Sequence, residues 1–350
     1  MASFSIGHIQ VGDAAPPLVV AEIGANHDGD IRTAEKMLNA IAQAGAKAVK
    51  FQTYTAAELV ADPQRLVTTG APGEEQQETI GDLFKRVTLP RSAHADLFQL
   101  ARELGLEPFS TPFSEQGVDF LMELGVPCFK VAASDVNHLP MLRHLATTGK
   151  PVILSLGKCT LAEADTAIST LLGNGCQELC ILHCISQYPA PMEEMNLRVI
   201  PALINLYPEC VVGFSDHSVG VTAAIAATAL GAKVIEKHVT LSQDTVGPDH
   251  WFSVDMAGLK QLVSGVQEAH VAMGHPRKQI VPCEQHERVT SVRSLVLQRA
   301  VTAGQRLQPD DIKITRPGTG LAPQFFEAVI GMSVTRDLPE NTVLQWDMFK

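Results

Sequence analysis

The 350-residue sequence has no long hydrophobic run, no run of basic residues and no basic, apolar leader at its start. Because no apolar stretch approaches the ~20 residues that cross a bilayer, we expect no membrane association. The formal net charge of −11 argues against a nucleic-acid-binding protein. The first residues, Met1 to His8, lack the features of a signal peptide, so we expect a cytoplasmic location.

The cysteine spacing and the lack of a glycine-rich motif exclude three further kinds of protein. The seven cysteines are odd in number and lie mostly within apolar runs, which predicts reduced core residues rather than a disulfide framework. Cys176 and Cys180 are close in sequence, but no second pair or nearby histidine completes a zinc site. No Gly-x-Gly-x-x-Gly follows the first apolar run, which disfavours a dinucleotide-binding fold.

Short apolar runs alternate along the chain with segments whose apolar residues recur every three or four positions. The runs predict strands at 18–23, 46–51, 107–110, 128–131, 151–155, 179–184, 210–214 and 233–237. The segments between them predict helices at 33–44, 93–104, 116–124, 162–172, 221–230 and 256–273. Repeated strand–helix units favour an α/β (β/α)₈ TIM barrel, with a doubly wound open sheet as the alternative.

The pattern also predicts a domain organisation. We assign residues 1–280 to the barrel, 281–290 to a polar linker and 291–350 to a small β-rich domain. That domain is short, so we expect it to bury little apolar surface alone and to pack against a barrel, its own or a neighbour's. The connection from Thr53 to Arg86 exceeds the length of one helix and is interpreted either as a lid or as a disordered insertion.

Two predicted strands lead directly into histidines, His217 and His238. Parallel barrel strands open on one shared face at their C-terminal ends, so the two imidazoles are predicted to hold one metal ion there. The alternative is that each histidine caps a strand or bonds the backbone.

Other polar residues follow the same strands. Lys50 and Lys130 interrupt apolar runs, and buried ammonium groups need anionic partners. Hydroxyls at the strand ends, together with these lysines, suit a small acid that carries phosphate. Glu22 ends the first strand, and Asp249 lies in a Gly-Pro-Asp turn that either aims it at the same face or is simply a turn.

Together the motifs resemble the sialic acid synthase family, which condenses phosphoenolpyruvate with N-acetylated amino sugars. The resemblance rests on Ala21-Glu-Ile-Gly-Ala-Asn-His-Asp-Gly, Val49-Lys-Phe-Gln-Thr, Ser110-Thr-Pro-Phe, Leu182-His-Cys-Ile-Ser-Gln-Tyr-Pro, Gly213-Phe-Ser-Asp-His and Ile235-Glu-Lys-His. The tail, with Thr315-Arg-Pro-Gly-Thr-Gly, resembles the antifreeze-like (SAF) domain that the family appends to its barrel.

The resemblance implies a divalent metal on His217 and His238, usually Mn²⁺, with Mg²⁺ or Co²⁺ as alternatives, and a domain-swapped homodimer. It implies that phosphoenolpyruvate is held by Lys50, Thr111, Lys130, Ser155, Ser186 and Ser215. It also implies that Glu22, Gln52, Asp135, Tyr188, Asp249 and Arg316 contact the sugar or the intermediate. The acceptor is either N-acetylmannosamine or a diacetamido sugar of the legionaminic or pseudaminic type.

One departure from the family affects the residues after Lys130. Many relatives continue with Gly-Ser-Gly-Glu, whereas this chain has Ala132-Ala133-Ser134-Asp135. A phosphate-binding hydroxyl is therefore missing at Ala133, and the carboxylate at Asp135 is one methylene shorter.

The sequence leaves two alternative functional hypotheses open, an enzyme of another class and a non-catalytic binding protein. A Schiff-base aldolase would use Lys130 or Lys237 as its nucleophile. A sugar- or ice-binding protein would need no catalysis, although a pure binder does not require lysines, histidines and a glutamate at one barrel mouth.

Overall fold

Eight parallel strands close into a barrel in the computed structural model, which describes residues 2–350. The barrel strands are β3 (Leu18–Glu22), β4 (Ala48–Thr53), β7 (Glu107–Pro112), β8 (Phe129–Val131), β9 (Val152–Ser155), β10 (Leu179–Cys184), β11 (Val211–Asp216) and β12 (Val234–His238). They pair in chain order, and β12 closes the barrel against β3. The predicted (β/α)₈ barrel is confirmed, and the predicted strands differ from these bounds by a few residues at most.

Helices cover the outside of the barrel and connect its strands. They are α1 (Ile31–Ala44), α4 (Arg91–Glu103), α5 (Glu115–Glu123), α6 (Leu139–Thr147), α7 (Leu161–Gly173), α8 (Val199–Leu206), α9 (Thr222–Ala229) and α10 (Met256–Met273). Left-handed glycines end several of them; Gly45, for example, has φ 92° and donates its N–H to Ala42 O. None of the helices in the described chain is long and apolar enough to span a membrane.

Successive residues of each barrel strand alternate between an inner and an outer layer. Residues such as Val19, Phe51 and Phe214 belong to the large cluster between strands and helices. Residues such as Val20 and Phe109 form a second apolar cluster inside the barrel, near the strand starts. Toward the strand ends the inward positions become polar, so a layer of polar side chains lies above the apolar filling of the barrel.

A hairpin that the sequence pattern did not predict joins the inner cluster. Strands β1 (Ser3–Ile6) and β2 (Ile9–Gly12) pair antiparallel. Their residues Phe4, Ile6 and Val11 are buried with the apolar residues at the strand starts. The hairpin therefore completes the apolar filling at the end of the barrel opposite the polar positions.

The long connection after β4 is folded. It contains α2 (Ala56–Leu59), the antiparallel hairpin β5 (Leu66–Thr69) and β6 (Gln76–Thr79), and α3 (Ile80–Val87). Ion pairs hold it in place: Arg86 pairs with Glu78 within the connection at 2.7 Å, and Arg91 of α4 pairs with Glu58 of α2 at 3.0 Å. Of the two interpretations, a disordered insertion is wrong for this segment.

A separate compact unit begins at His275. It comprises α11 (Gln285–Thr290), which lies in the segment predicted as a linker, the antiparallel pair β13 (Ser294–Leu297) and β14 (Ile312–Thr315), and α12 (Phe326–Val329). The unit has an apolar core of its own, which includes Leu295, Leu307 and Leu344. The expectation that so short a domain would bury little apolar surface alone was wrong, because isolated bridges such as Val301–Leu338 fold its loops over that core.

Candidate active site

A cavity of about 700 Å³ opens at the C-terminal ends of the barrel strands. Its walls include eleven of the residues singled out from the sequence: Lys50, Gln52, Thr111, Lys130, Asp135, Ser155, Tyr188, Ser215, His217, His238 and Asp249. They converge because most occupy the last inward-facing positions of barrel strands. The register places them side by side, as with Glu22 beside Lys50 and Gln52 beside Thr111.

Glu22 lies beneath the cavity and organises two side chains above it. The Lys50 ammonium is 2.5 Å from Glu22 Oε2, and Gln52 Nε2 donates to Glu22 Oε1 at 2.9 Å. A side chain at Gly24 would place its Cβ 2.4 Å from Glu22 Oε1, so only glycine leaves room for this arrangement. Burial raises the pKa of Glu22 more than Lys50 lowers it. Burial lowers the pKa of Lys50, but Glu22 and Glu236 outweigh it and the net shift is upward.

Lys130 occupies the matching position on β8. Its ammonium donates to Ser155 Oγ at 2.7 Å and to its neighbour's carbonyl, Val131 O, at 3.2 Å. Burial lowers its pKa, although Glu236 at 3.6 Å acts in the opposite direction. The group is therefore a desolvated amine with one carboxylate partner.

Glu236 lies at the end of a predicted strand, but the sequence prediction assigned it no role. It is 4% exposed and receives a hydrogen bond from Ser215 Oγ at 2.9 Å. Its Oε1 also lies 3.9 Å from Lys50 Nζ, and the two lysines outweigh burial to lower its pKa. Strand alternation could have predicted its position. Residues two apart on a strand face the same side, and Val234 faces the barrel interior, so Glu236 does too.

The same alternation turns Lys237 outward. It is buried behind the barrel wall, where its ammonium lies 2.8 Å from Asp216 Oδ2, and it does not line the cavity. The side chains of Asp216 and Lys237 therefore form a structural pair between strands and helices. The suggestion that Lys237 serves as a Schiff-base nucleophile in the cavity is wrong for this reason.

The two predicted metal ligands lie together. The rings of His217 and His238 are 5.3 Å apart between centroids, and Tyr188 packs 4.3 Å from the first of them. His217 Nδ1 donates to Ile185 O at 2.8 Å, which leaves its Nε2 with a free lone pair. Burial lowers the pKa of His217 to about 4 and that of His238 well below its usual value, so both imidazoles are neutral near pH 7.

This pair fits a divalent cation. His238 Nδ1 is buried without a hydrogen-bond partner and lies 3.4 Å from Asp249 Oδ2. Neutral imidazole and carboxylate are donors that Mn²⁺ accepts. Among residues 2–350, no group of three or more histidine, cysteine, aspartate or glutamate side chains is arranged to hold a metal. Two protein ligands would leave the remaining coordination positions to substrate and water.

Carboxylates at the rim have raised pKa values. Burial, followed by the charge of Glu22, raises the pKa of Asp249 to about 7. Burial also raises the pKa of Asp135, which follows β8 and accepts a hydrogen bond from Ser134 Oγ at 3.1 Å. Tyr188 remains 43% exposed beside the histidines. These three side chains therefore surround the space above the lysines and imidazoles.

Three predicted residues are not part of the cavity wall: Glu22, which lies beneath it, Ser186 and Arg316. Ser186 lies 3.5 Å from the Cys184 sulfur, and it is Cys184 that lines the cavity. Arg316 belongs to the C-terminal unit. The carbonyl of the next residue, Pro317, accepts a hydrogen bond from Ser294 Oγ at 2.7 Å. Wall residues that were not predicted include Glu58, Arg65 and Phe84 of the folded connection and Lys158 after β9. Only spatial folding brings these segments to the cavity.

Comparison with known families and proteins matches this architecture. The profile of the NeuB family matches residues 37–278, and that of the SAF domain matches residues 292–350. The crystal structure of N-acetylneuraminic acid (sialic acid) synthetase from Leptospira borgpetersenii superposes with a TM-score of 0.74 at 30% identity. The match covers 81% of this chain and 94% of that one.

Curated relatives match over nearly their whole length. The N,N'-diacetyllegionaminic acid synthase of Legionella pneumophila is 34% identical, with 96% of this chain and 95% of that protein covered. The pseudaminic acid synthase of Helicobacter pylori is 35% identical, with 95% and 97% covered. On these matches, and with a barrel and cavity of the expected kind, the chain belongs to the NeuB family of nonulosonic acid synthases and carries an SAF domain.

Proposed function

We propose that this enzyme condenses phosphoenolpyruvate with an open-chain N-acetylated amino sugar to give a nonulosonic acid and inorganic phosphate. The observation that carries the proposal is the cavity floor, where two buried lysines and two neutral histidines face the same space. The lysines suit the anionic donor, and the histidines suit a cation that binds the carbonyl acceptor.

Phosphoenolpyruvate would lie over Lys50 and Lys130. Both ammonium groups already have carboxylate partners, so they are held in place before the substrate arrives. Thr111 and Ser155 each accept a hydrogen bond from one of the lysines, at 3.3 and 2.7 Å, which leaves their hydroxyl hydrogens available to the phosphate or carboxylate of the donor. Ser215 and Ser186 are further hydroxyls at the ends of neighbouring strands.

The acceptor aldehyde would lie over His217 and His238. A divalent metal there, which we propose to be Mn²⁺, supplies Lewis acidity that polarises the aldehyde. Glu22 and Gln52 would orient the sugar from below, while Asp135, Tyr188 and Asp249 would contact it from the rim. Arg316, by resemblance, would extend from the C-terminal domain of one subunit of a domain-swapped homodimer to the N-acetyl group of a sugar bound in the barrel of the other.

The reaction forms one carbon–carbon bond and releases phosphate. The methylene carbon of phosphoenolpyruvate attacks the aldehyde carbon, and the aldehyde oxygen takes a proton to become a hydroxyl. Water adds to the resulting cationic carbon and loses a proton. The carbon–oxygen bond to phosphate then breaks as the new hydroxyl becomes the ketone carbonyl, and the proton from that hydroxyl leaves with the phosphate. The buried lysines stabilise the anionic groups throughout, which is the electrostatic contribution expected of a preorganised site.

The proposed acceptor is N-acetylmannosamine or a diacetamido deoxy sugar of the legionaminic or pseudaminic type. Relatives named N,N'-diacetyllegionaminic acid synthase, pseudaminic acid synthase and N-acetylneuraminate-9-phosphate synthase match at similar identities, 34%, 35% and 33%. We also propose a cytoplasmic location, which the seven free cysteines support.

Phosphate release tests the proposal directly. Purified protein with Mn²⁺ and phosphoenolpyruvate should release phosphate only when one of the candidate sugars is present, and mass spectrometry should find the corresponding nonulosonic acid. Borohydride trapping with pyruvate should label no lysine. Covalent labelling of Lys130 without phosphate release would instead support a Schiff-base aldolase.

A further inference from the structure

The cavity contains four lysine or arginine side chains, and two of them are already paired. Lys50 and Lys130 face the carboxylates of Glu22 and Glu236 at 2.5 and 3.6 Å. The positive charge of the floor is therefore largely balanced before a substrate binds. A phosphate carries about −1.5 to −2 charges near pH 7, and the carboxylate of phosphoenolpyruvate adds another. Binding such an anion calls for a cation beyond the two buried lysines.

Lys158 and Arg65 are the wall cations that form no ion pair among residues 2–350. Arg65 comes from the folded connection after β4. Lys158 follows β9, three residues after Ser155, whose hydroxyl accepts the hydrogen bond from Lys130. Of the two, only Lys158 lies on a loop that begins directly after a residue predicted to bind phosphoenolpyruvate, Ser155.

The loop that carries Lys158 is held tightly against the neighbouring strand ends. Leu156 N donates to Leu182 O at 2.9 Å. A Cβ at Gly157 would lie 2.2 Å from Ser186 Oγ and 3.0 Å from the Ala133 Cβ, so the backbone approaches both segments closely. The residue before Lys158 therefore lies against Ala133, the position at which the chain lacks a hydroxyl, and Lys158 and Ala133 line the same cavity.

The backbone of Lys158 is strained. Its φ is +56°, in the left-handed region that residues with a Cβ adopt rarely. Glycine or asparagine would occupy this position at lower cost. A lysine kept in this conformation at the edge of a cavity is the kind of outlier that is found at functional sites.

We propose that Lys158 binds the phosphate group of phosphoenolpyruvate and supplies, as an ammonium donor, the contact that a hydroxyl at position 133 would otherwise make. The assignment rests on the proposed function and adds a residue to it. Because the lysine is exposed rather than buried, it contributes to binding the donor substrate and not to holding the barrel together.

The test uses the full-length protein with three substitutions at one position. Lys158→Gly removes the ammonium and relieves the left-handed strain, Lys158→Gln removes only the charge, and Lys158→Arg keeps the charge. Lys47→Gln is the matched control, since Lys47 is exposed just before β4, at the opposite end of the barrel. The measurements are the Kd for phosphoenolpyruvate by calorimetry, the KM for each substrate and the midpoint of thermal unfolding.

We expect Lys158→Gly and Lys158→Gln to raise the Kd and KM for phosphoenolpyruvate about tenfold or more, as for loss of a charge-assisted hydrogen bond. The KM for the sugar should change less than about twofold, and Lys158→Arg should stay near wild type. Lys158→Gly should unfold at the same temperature as wild type or higher, because the strain is gone. A more stable protein with weaker donor binding is not what a structural role would produce.

Ala133→Ser provides a second arm. The added hydroxyl should lower the phosphoenolpyruvate KM more in the Lys158→Gly background than in wild type, because both groups serve one phosphate. Equal effects in both backgrounds would contradict the shared contact. If the wild-type protein turns phosphoenolpyruvate over and Lys158→Gly binds it with unchanged affinity, the assignment of Lys158 is wrong while the proposed function stands. A wild-type protein that binds phosphoenolpyruvate but releases no phosphate with any sugar would overturn only the proposed function, and one that does not bind it would overturn both.

Discussion

The ammonium group of Lys130 lies 3.6 Å from the carboxylate of Glu236, across the interior of the barrel. Lys130 is on β8 and Glu236 on β12, which are separated by three strands in either direction around the barrel. Glu236 also lies 3.9 Å from Lys50, so one carboxylate serves both lysines of the floor. The ion pair connects opposite walls and fixes the distance between the two cations that we assign to the donor substrate.

Glu236→Gln should therefore destabilise the protein as well as disturb catalysis. Two buried ammonium groups would lose a shared partner, and breaking a buried pair costs about 3 kcal/mol or more of unfolding free energy. Urea unfolding should show this loss, while Glu268→Gln, at an exposed position of α10, should not. Inorganic phosphate should raise the unfolding temperature of Glu236→Gln more than that of wild type, since it replaces the missing anion. Equal stability of Glu236→Gln and Glu268→Gln would contradict the role of Glu236 as the shared partner of the two buried lysines.

Lys50→Met and Lys130→Met should each lower kcat/KM for phosphoenolpyruvate. The expected cost is about 2–5 kcal/mol of transition-state stabilisation, the range for truncating one partner of a buried charge pair. Steady-state kinetics with saturating sugar measures it, and Lys47→Met is the control for removing a lysine elsewhere. Unchanged kcat/KM in both variants would refute the assignment of these lysines to the donor.

Removal of metal should abolish phosphate release. His217→Ala and His238→Ala should weaken Mn²⁺ binding about 100-fold or more, because each removes one of two protein ligands. Calorimetric titration with Mn²⁺ measures the affinity for the metal independently of enzyme activity. His144→Ala is the control, since His144 pairs with Asp119 on the helical layer, 2.7 Å away, and does not line the cavity. Full activity in a demonstrably metal-free sample would end the proposal.

Stability should fall in acid because of His27. Burial lowers its pKa to about 4 against an ordinary value near 6.5, with His94 and His250 acting in the same direction and Asp28 opposing them. A depressed histidine pKa means that the stabilising neutral form is fully present above pH ~6.5 and that stability is lost as pH falls toward 4, by up to about 3 kcal/mol. His27 Nδ1 accepts from Gly29 N at 3.1 Å, so His27→Asn keeps an acceptor but does not titrate.

Chemical unfolding of both proteins between pH 8 and pH 4.5 measures this effect. The variant should be less stable at pH 8 but should lose less stability per pH unit below 6.5. Other buried histidines titrate in both proteins, so the comparison is between the two slopes. Identical slopes would show that His27 does not carry this linkage.

The C-terminal unit should act in trans through Arg316. A mixture of inactive Arg316→Ala and inactive His238→Ala proteins should regain activity after subunit exchange, because a mixed dimer would contain one intact site and one doubly damaged site. Exchange is checked by copurifying two differently tagged variants. If mixed dimers form and activity stays at the level of the parents, the arginine works on its own barrel or not at all.

Much of the fold was contained in local sequence patterns. Apolar runs that alternate with amphipathic segments predicted every barrel strand, because a strand and a helix each record their burial in the spacing of neighbouring residues. The polar residues at the ends of those runs predicted most of the cavity wall, since parallel barrel strands all end on one face. The family resemblance assigned them chemical roles, and family membership agrees with it.

Other features depended on how distant segments meet. Whether Glu236 or Lys237 faces the cavity follows from the side of the wall that β12 presents, and the cross-barrel pairing with Lys130 exists only once the barrel closes. The N-terminal hairpin and the wall residues Arg65 and Lys158 carry no periodic signal, because their positions are set by packing against segments far away in the chain. The sequence by itself determined the barrel and the residue types at its mouth, since those follow from local periodicity. Only the tertiary structure decided which charges neutralise one another, because that depends on distances across the closed barrel.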